Sequence, residues 1–243
     1  MDKKALVTQY RPLVALACRC HNLRNCFRTR KKGQGNRIQA PCALLKKVSF
    51  HISGDNNTVI VEDFSVLDRV SFYISGSNNR IVIGAWSRLA GTEFCVENDG
   101  NTIRLGQHTK LYGKAELAAL EGTSITIGED CLFSSDIHFR TSDSHSVLDL
   151  EGRRINAAAD ITLGDHVWIS RGVTVMKGAC VGAHSILGAG AIVTGKFPEP
   201  NCSIAGVPAK ILKHGVDWSI HRVPVGELAP DFVPISEQQE ETV

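Results

Sequence analysis

The tripeptide Asp143-Ser144-His145 contains the residue types in this chain that are best suited to moving a proton. It lies in a polar segment, RTSDSHSVLDLEGRRINAAAD, that spans residues 140–160. An imidazole ordinarily titrates near about 6.5, so a neutral histidine can serve as a general base at physiological pH. An aspartate two residues away either orients such a ring or forms a turn. From position alone, His145 is either a proton-transfer group or an ordinary surface histidine.

Short repeats on both sides of this segment indicate how it is held. Before it, four stretches repeat one pattern with a constant 22-residue period. They are NNTVIVEDFSVL from Asn56, NNRIVIGAWSRL from Asn78, GNTIRLGQHTKL from Gly100 and GTSITIGEDCLF from Gly122. After it, aliphatic residues recur at every sixth position: Leu163, Ile169, Val175, Val181, Leu187 and Val193. A fixed period of this kind predicts a solenoid, whose repeats bury a core by stacking on one another.

The six-residue period indicates one short strand followed by a tight turn, so three such units close a triangular coil. The 22-residue period is the same coil with a longer corner, where residues 54–57 (GDNN) recur as residues 76–79 (GSNN). Asparagines stacked at that corner are predicted to form a polar ladder. Gly164, Gly182 and Gly188 are predicted to occupy turns with unusual backbone angles. Residues 140–160 interrupt the pattern as an extruded loop, and loops on a rigid scaffold commonly carry function.

Composition and cysteine usage favour a single soluble domain. The chain has 243 residues, of which 6% are aromatic, as suits a narrow aliphatic interior. The longest early apolar stretch, residues 13–18, is too short to cross a bilayer. Eight scattered cysteines favour reduced thiols in a cytoplasmic protein over a disulfide framework. Zinc binding near the N-terminus is disfavoured, because Cys18, Cys20, His21 and Cys26 lack paired C-x2-C spacing.

Basic charge is concentrated in residues 1–47, which contain twelve Lys or Arg and a single acidic residue, whereas the remainder carries a net charge of −9. Residues 5–30 are predicted to form a helix within this basic N-terminal cap. The cap either closes the open end of the solenoid or contacts an anionic membrane surface or a polyanionic acceptor. Nucleic-acid binding has no support beyond this charge and is not predicted.

The run ITLGDHVWISRGVTVMKGACVGAHSILGAGAIVTGKFPEPNCSIAGVPAKILK carries V-W-I, G-A-G-x-I-V-T and A-G-x-P-A-K elements. Together they make residues 50–213 resemble the hexapeptide-repeat acyltransferases, in the branch of galactoside and maltose acetyltransferases and capsule or O-antigen polysaccharide O-acetyltransferases. The resemblance implies an all-β fold, a left-handed parallel β-helix, which departs from the usual right-handed crossover. It also implies a homotrimer with acetyl-CoA between neighbouring coils. We therefore divide the chain into the cap of residues 1–47, a β-helix domain of residues 48–213 and a tail of residues 214–243.

The resemblance also implies roles for individual residues. His145 takes the position of the family's catalytic histidine, which accepts a proton from an acceptor hydroxyl and returns it to the leaving thiolate. Backbone N–H groups would stabilise the oxyanion. Trp168 matches the active-site tryptophan beside the thioester, with packing on an outward face as its alternative role. Asp143 orients the imidazole or forms a turn.

Coenzyme A contacts are implied along the outer surface, at Ser170, Arg171, Ala189, Thr194, Lys196, Lys210 and Lys213. Cationic side chains suit its phosphates. Two departures weaken the match. Gly195 intervenes before Lys196, where the family usually places a basic residue at once, and lysine at positions 210 and 213 lacks the bidentate geometry of arginine. Acetyl-CoA is thus the expected co-substrate, and no metal is expected.

The predicted function is transfer of an acetyl group from acetyl-CoA to a hydroxyl of a surface polysaccharide or its precursor, in the cytoplasm or at the inner face of the membrane. A polymeric, anionic saccharide is one acceptor that this prediction allows. N-acetylation of a nucleotide-linked amino sugar and a non-catalytic β-helical scaffold are the alternatives. A zinc lyase of the γ carbonic anhydrase type would need three histidines. His108, His166 and His184 share one column of the repeat, but they are predicted to be solvated corners because only the last two are one 18-residue coil apart.

Overall fold

The computed structural model describes residues 7–24, 28–232 and 234. A helix, α1 (Arg11–Arg24), precedes a long series of short strands. The chain visits three sheets in turn, so each circuit makes a coil with three faces. Every strand pairs in parallel with the strand one coil away, apart from the last pair along the chain, which is antiparallel. The described residues therefore form a parallel β-helix, and the predicted fold class is confirmed.

The strands are named by sheet. Sheet 1 contains β1 (Arg28–Lys32), β4 (Ser49–Ser53), β7 (Ser71–Ser75), β10 (Thr92–Glu97), β13 (Ala115–Leu120), β16 (Ile137–Arg140), β19 (Thr174–Met176) and β22 (Ile192–Val193). Sheet 2 contains β2 (Arg37–Gln39), β5 (Thr58–Val61), β8 (Arg80–Ile83), β11 (Thr102–Leu105), β14 (Ser124–Ile127), β17 (Ile161–Leu163), β20 (Cys180–Val181) and β23 (Lys196–Phe197). Sheet 3 contains β3 (Leu44–Lys46), β6 (Val66–Asp68), β9 (Arg88–Ala90), β12 (Lys110–Leu111), β15 (Leu132–Phe133), β18 (Trp168–Ile169), β21 (Ile186–Leu187), β24 (Cys202–Gly206) and β25 (Ala209–His214).

Strand register confirms both sequence periods. Thr102 pairs with Ser124, its counterpart in the next 22-residue repeat. Thr162 pairs with Cys180, which lies three six-residue units further along the chain. Between these two regions Ile125 pairs with Ile161, so a much longer coil is inserted without any loss of alignment. The additional residues of that coil leave the solenoid between sheets 1 and 2, at the 1–2 corner.

The core is a column of inward-facing side chains along the solenoid axis. In the strands, buried and more exposed residues alternate, as expected when one face of each sheet is covered. Phe50, Phe72 and Phe94 stack face to face in successive coils, with ring centroids 4.8 and 4.9 Å apart. All three rings are fully buried. The apolar core thus continues from coil to coil, and no coil could bury its own inward face alone.

Asparagines at the 1–2 corner form the predicted ladder. The Asn79 N–H donates to Asn57 Oδ1 at 3.0 Å, and the Asn101 N–H donates to Asn79 Oδ1 at 2.8 Å. The Asn79 side-chain amide donates in turn to the carbonyl of Asn98 at 2.9 Å. These asparagines are buried, so each amide must be satisfied by the neighbouring coils. The ladder therefore aligns successive coils at the corner from which the loop later emerges.

Three glycines of the 18-residue coils have a different role from the one predicted. Gly164, Gly182 and Gly188 are absent from the positive-φ positions of the described chain, so the prediction of unusual backbone angles is wrong. A Cβ on Gly164 would lie 2.5 Å from the backbone nitrogen of Ala183, and one on Gly188 would lie 2.7 Å from Ala205 Cβ. Close stacking of successive corners is what requires glycine at these positions.

The N-terminal region also departs from the predicted domain boundary. Strands β1 to β3 already form the first coil, so the solenoid begins at Arg28 instead of residue 48. Helix α1 lies over the open end of that coil. The side chain of Asn22 donates to the Ala43 carbonyl at 3.0 Å and accepts from the Leu45 N–H at 2.8 Å, which replaces the bonds of a missing strand. The predicted helix over residues 5–30 is observed as Arg11–Arg24 within the described part of the chain.

The C-terminal segment, residues 215–232, contains turns and extended backbone without a named helix or strand. It crosses the 2–3 corner, the turn between sheets 2 and 3. There the Val216 N–H donates to the Asn201 carbonyl at 2.9 Å. Seven cysteines in the described ranges are free thiols; the eighth, Cys26, lies outside them. Among the helices that the structure describes, none is long and apolar enough to span a bilayer.

Candidate active site

The loop that carries His145 occupies residues 141–160, between β16 in sheet 1 and β17 in sheet 2. It folds back on itself through an antiparallel bridge between Leu148 and Arg154. The Ile155 N–H also donates to the Val147 carbonyl at 2.9 Å. These contacts make the loop a small folded unit that projects from the 1–2 corner.

A carboxylate on the preceding coil anchors the loop to the solenoid. Arg154 donates to both carboxylate oxygens of Glu121, at 2.7 and 2.9 Å, and Ser142 Oγ donates to the same carboxylate at 2.5 Å. The hydrogen bonds from Arg154 and then Ser142 lower the pKa of Glu121 to about 2. The anchor is therefore charged throughout the physiological pH range.

The backbone around His145 is held by a second set of contacts. The Asn156 side-chain amide donates to the His145 carbonyl and to Asp143 Oδ2, both at 2.7 Å. Lys177, on the next coil, donates to the same Asp143 oxygen at 2.5 Å. These bonds, Lys177 first, lower the pKa of Asp143. The His145 side chain is exposed and makes no hydrogen bond with the residues that the structure describes, so its ring is presented to the exterior.

Trp168 lies on a different side of the coil from His145. It starts β18 in sheet 3, with its ring facing outward and 37% of the residue exposed. In a three-sided coil, the 1–2 corner is opposite sheet 3. The structure therefore does not bring His145 and Trp168 of one chain together.

The predicted coenzyme A contacts fall on three separate parts of the surface. Ser170, Arg171 and Ala189 lie at the 3–1 corner, and Arg171 Nε donates to Asp136 at 2.9 Å. Thr194 lies at the 1–2 corner and Lys196 begins β23 of sheet 2, directly after that corner. The last two residues of the set, Lys210 and Lys213, lie on β25 at the C-terminal end of sheet 3.

Comparison with known proteins places this geometry in a family. No family model matches the chain. The chain superposes on the crystal structure of the polysialic-acid-specific acetyltransferase NeuO with a TM-score of 0.75 and 32% identity, covering 88% of this chain and 91% of that one. The chain belongs to the hexapeptide-repeat acyltransferases.

Two further relatives support this membership. The polysialic acid O-acetyltransferase OatWY superposes with a TM-score of 0.76 and 27% identity, over 84% of this chain and 95% of that one. The polysialic acid O-acetyltransferase of Escherichia coli O1:K1 is 37% identical over 103 residues, which is 42% of this chain and 33% of the relative. The aligned part thus spans about a third of that curated relative's length.

The histidine column of this hexapeptide-repeat chain is less solvated than predicted. His166 and His184 are only partly exposed, because Asp217 and Trp218 of the C-terminal segment cover them. The Trp218 ring stacks on His166 with centroids 4.2 Å apart. The expectation of solvated corners is therefore wrong for these two residues, since sequence spacing gave no sign that the tail folds back over this corner.

Several residues that shape the loop were not found from the sequence. Glu121, Lys177 and Asn156 hold it, and the first two lie on other coils. Glu121 did carry a signal, because the 22-residue period puts it in the corner column that Asp55 and Asp99 occupy. Glu121 is the acidic residue of this column in the last coil before the inserted loop of residues 141–160. Its position therefore indicates an anchoring point for that loop.

Proposed function

We propose that this chain is an acetyl-CoA-dependent O-acetyltransferase whose acceptor is a hydroxyl of a surface polysaccharide or its precursor. The observation that carries the proposal is the exposed His145, presented by an anchored loop on a β-helix that superposes on two polysialic acid acetyltransferases. The names of these relatives favour an anionic sialic acid polymer as the acceptor class.

His145 is the general base of this reaction. Its neutral ring accepts the proton of the acceptor hydroxyl while the oxygen attacks the carbonyl carbon of the thioester. The C–S bond then breaks, the acetyl group stays on the sugar oxygen, and the departing thiolate of coenzyme A takes the proton from the ring. Asp143 acts on the loop backbone through Asn156 and Lys177 in this proposal, because its carboxylate is bonded to those two side chains.

A homotrimer is part of the same proposal. His145 and Trp168 lie on opposite sides of one coil, so a site that uses both needs Trp168 from a neighbouring chain. A second chain packed against the 1–2 corner would supply the missing wall. Coenzyme A would then contact Thr194 and Lys196 of one chain and residues of the facing chain, with lysines suited to its phosphates.

The basic N-terminal strand fits an anionic acceptor. All five residues of β1, RTRKK, are exposed, and four of them are cationic. We assign this strand to electrostatic contact with the polymer. Because exposed charges are screened over about 8 Å at physiological ionic strength, high salt should weaken acetylation of long acceptors more than of short ones. Equal salt dependence for the two acceptors would remove this part of the proposal.

The chemical test is acetyl transfer to polysialic acid. The full chain is incubated with acetyl-CoA and the polymer, and the product is examined by mass spectrometry before and after mild alkali. An O-acetyltransferase gives acetylated polymer whose acetyl groups are lost in alkali, as esters are. Alkali-stable acetylation would instead indicate an amide and an amino-sugar acceptor. No transfer to any saccharide would reject the proposed function.

The shared site has its own test. Sedimentation equilibrium should give about three times the chain mass of 26.4 kDa. His145→Ala and Trp168→Ala should each be inactive alone, whereas mixed oligomers formed by subunit exchange should regain activity, because some interfaces then combine an intact His145 with an intact Trp168. A fully active monomer, or mixed oligomers that stay inactive, would contradict a site built from two chains.

A further inference from the structure

Three metal-ligating side chains converge at the 2–3 corner, away from the His145 loop. His166 and His184 lie on adjacent coils with their ring centroids 5.0 Å apart, and Asp217 reaches them from the C-terminal segment. His166 Nε2 lies 3.6 Å from Asp217 Oδ1, and His184 Nδ1 lies 3.1 Å from Asp217 Oδ2. The ligating atoms of the three residues all lie within 4.8 Å of one another.

We propose that His166, His184 and Asp217 bind a divalent transition-metal cation, with Zn²⁺ the best fit, which fixes the C-terminal segment to the solenoid. Zinc sites use imidazole nitrogens and carboxylate oxygens at bonds of about 2.1 Å, which put neighbouring ligand atoms of a tetrahedron about 3.4 Å apart. The two observed separations, 3.6 Å from His166 Nε2 to Asp217 Oδ1 and 3.1 Å from His184 Nδ1 to Asp217 Oδ2, are close to that value, with each histidine next to a different oxygen of the same carboxylate. Two histidines and one carboxylate are a donor set for first-row transition metals, whereas Mg²⁺ and Ca²⁺ prefer oxygen ligands.

The surroundings of His166 are those of a metal ligand. Its second ring nitrogen, Nδ1, lies 2.9 Å from Asp130 Oδ2. Histidines that bind metals through one nitrogen usually donate the other N–H to a carboxylate, which fixes the tautomer and the ring orientation. Trp218 covers one face of the ring and donates its indole N–H to the His166 carbonyl at 2.7 Å. The Trp218 carbonyl lies 3.1 Å from His166 Nε2, and binding of the cation at that nitrogen would replace this hydrogen bond.

Few buried side chains hold the C-terminal segment against the solenoid. Residues 215–232 include no fully buried side chain in the described structure. Ordering a chain segment costs conformational entropy, and this segment buries little apolar surface to offset that cost. Partly exposed ion pairs contribute little, because solvent screens them. Binding of a cation shared between Asp217 and two rigid coil corners adds folding free energy where the segment has no other large source.

The inference does not rest on the acetyl-transfer proposal, since none of the three ligand residues is assigned a part in acetyl transfer, although His166 lies two positions before Trp168. It also differs from a three-histidine lyase site, because His108 is not a member of the cluster and the third ligand comes from the tail. The cation has a structural role: it positions Trp218, whose ring lies 6.3 Å from that of Trp168.

Zinc binding to the full chain tests the inference. The protein is stripped with chelator, dialysed and titrated with Zn²⁺ by calorimetry, and the bound metal is counted by elemental analysis. We expect one Zn²⁺ per chain, with affinity lowered at least about 100-fold in His184→Asn and Asp217→Asn, and about 10- to 100-fold in Asp130→Asn. His138→Asn, an exposed histidine on β16 that lies 3.2 Å from Glu116 and does not line the cavity at this cluster, is the matched control and should bind zinc normally.

A second readout follows the tail itself. Trypsin should cleave at Arg222 faster in the chelator-treated protein, and Zn²⁺ should protect this bond in the parent chain and in His138→Asn but not in Asp217→Asn. The Glu199, Cys202 and His214 group is a competing binding site. Zinc that remains in His184→Asn and Asp217→Asn but is lost in His214→Asn would overturn the assignment. A tail that is equally protected with and without zinc would overturn it as well.

Discussion

Coils before the loop are spaced by 21 or 22 residues, whereas those after it follow the 18-residue period or a shorter one. The strands of sheet 1 follow the same division: β7 and β10 have five and six residues, but β19 and β22 have three and two. We call the coils before the loop the wide coils and those after it the narrow coils. The wide coils contain the phenylalanine stack and the asparagine ladder. Predicted coenzyme A contacts lie only in the narrow coils and their C-terminal extension. The stacked rings and the asparagine ladder therefore lie in one part of the solenoid, and the residues predicted to bind coenzyme A lie in the other.

The largest expected effect concerns activity alone. His145→Ala should lower kcat by about 10²- to 10⁴-fold, the usual contribution of a general base, without changing the melting temperature, because its ring makes no hydrogen bond with the described residues. Steady-state kinetics and thermal unfolding measure the two effects. His138→Ala, an exposed histidine on β16 bonded to Glu116, is the control and should keep full activity. A His145 variant with more than about a tenth of parental kcat would contradict the assigned role.

A substitution in the core of the wide coils should lower stability, whereas His145→Ala should lower activity alone. Phe72→Ala removes the middle ring of the phenylalanine stack and should lower the free energy of unfolding by about 3–5 kcal/mol, as large-to-small core substitutions do. Urea denaturation measures the change. Its neighbour Tyr73 points outward, so Tyr73→Ala should cost far less. Similar losses for both variants would mean that the stack does not carry the stability of these coils.

The asparagine ladder should contribute less than the aromatic core. Asn79→Ala leaves the Asn101 N–H and the Asn98 carbonyl without their side-chain partner, and a buried polar group without a partner costs about 1–3 kcal/mol. Urea denaturation again gives the difference. Ser77→Ala removes one exposed acceptor at the same corner and should have little effect. If the two variants lose equal stability, the buried ladder has no special role.

Loop anchoring should give the smallest effect, and it depends on pH. Because folding lowers the pKa of Glu121 from 4.5 to about 2, the anchor is fully present above about pH 4.5 and is lost as the pH falls toward 2. Hydrogen exchange of residues 141–160, corrected for intrinsic rates, should rise about two- to fivefold over that window. Glu121→Gln should exchange at the faster rate at neutral pH. Glu129→Gln, whose carboxylate accepts a hydrogen bond from Gln107 on the neighbouring coil, should not.

Activity should fall in a different pH range. A general base must be unprotonated, so kcat/KM should decrease as the pH is lowered from 8 to 5, where Glu121 still holds the loop. Measuring kcat/KM and loop exchange on the same samples separates the two processes. A flat kcat/KM profile over that range would count against His145 as the base.

Periodicity in the sequence predicted most of the coils, because each contributes inward aliphatic or aromatic residues at a fixed spacing. The first coil was missed for a physical reason: β1 places Thr29 and Lys31 opposite the inward Phe50 and Ile52, so it has no apolar signal. Helix α1 lies against β3 and leaves β1 exposed, so polar residues can replace the usual core residues in β1.

The candidate site was predictable only in part. His145 was proposed because it lies in the segment that interrupts a regular pattern, but the contacts that hold this segment join residues far apart in sequence. Asp143 and Lys177 are 34 positions apart, and His166 and Trp218 are 52 positions apart. Such pairs depend on how many residues the loop and tail add between coils, which no local pattern specifies. His145 and Trp168 lie on opposite sides of the coil, and this placement likewise became clear only from the three-sided topology.

The two ends of the solenoid differ in the feature that discourages a second molecule from pairing with their exposed strand edges. A parallel β-helix presents unpaired strand edges at both ends, and each edge is a template for indefinite fibre growth. At the C-terminal end, β25 runs antiparallel on β24 and breaks the parallel register. At the N-terminal end, β1 carries four cationic residues, so two molecules approaching edge to edge would repel each other. The charge of the first coil therefore opposes pairing between the N-terminal ends of two chains.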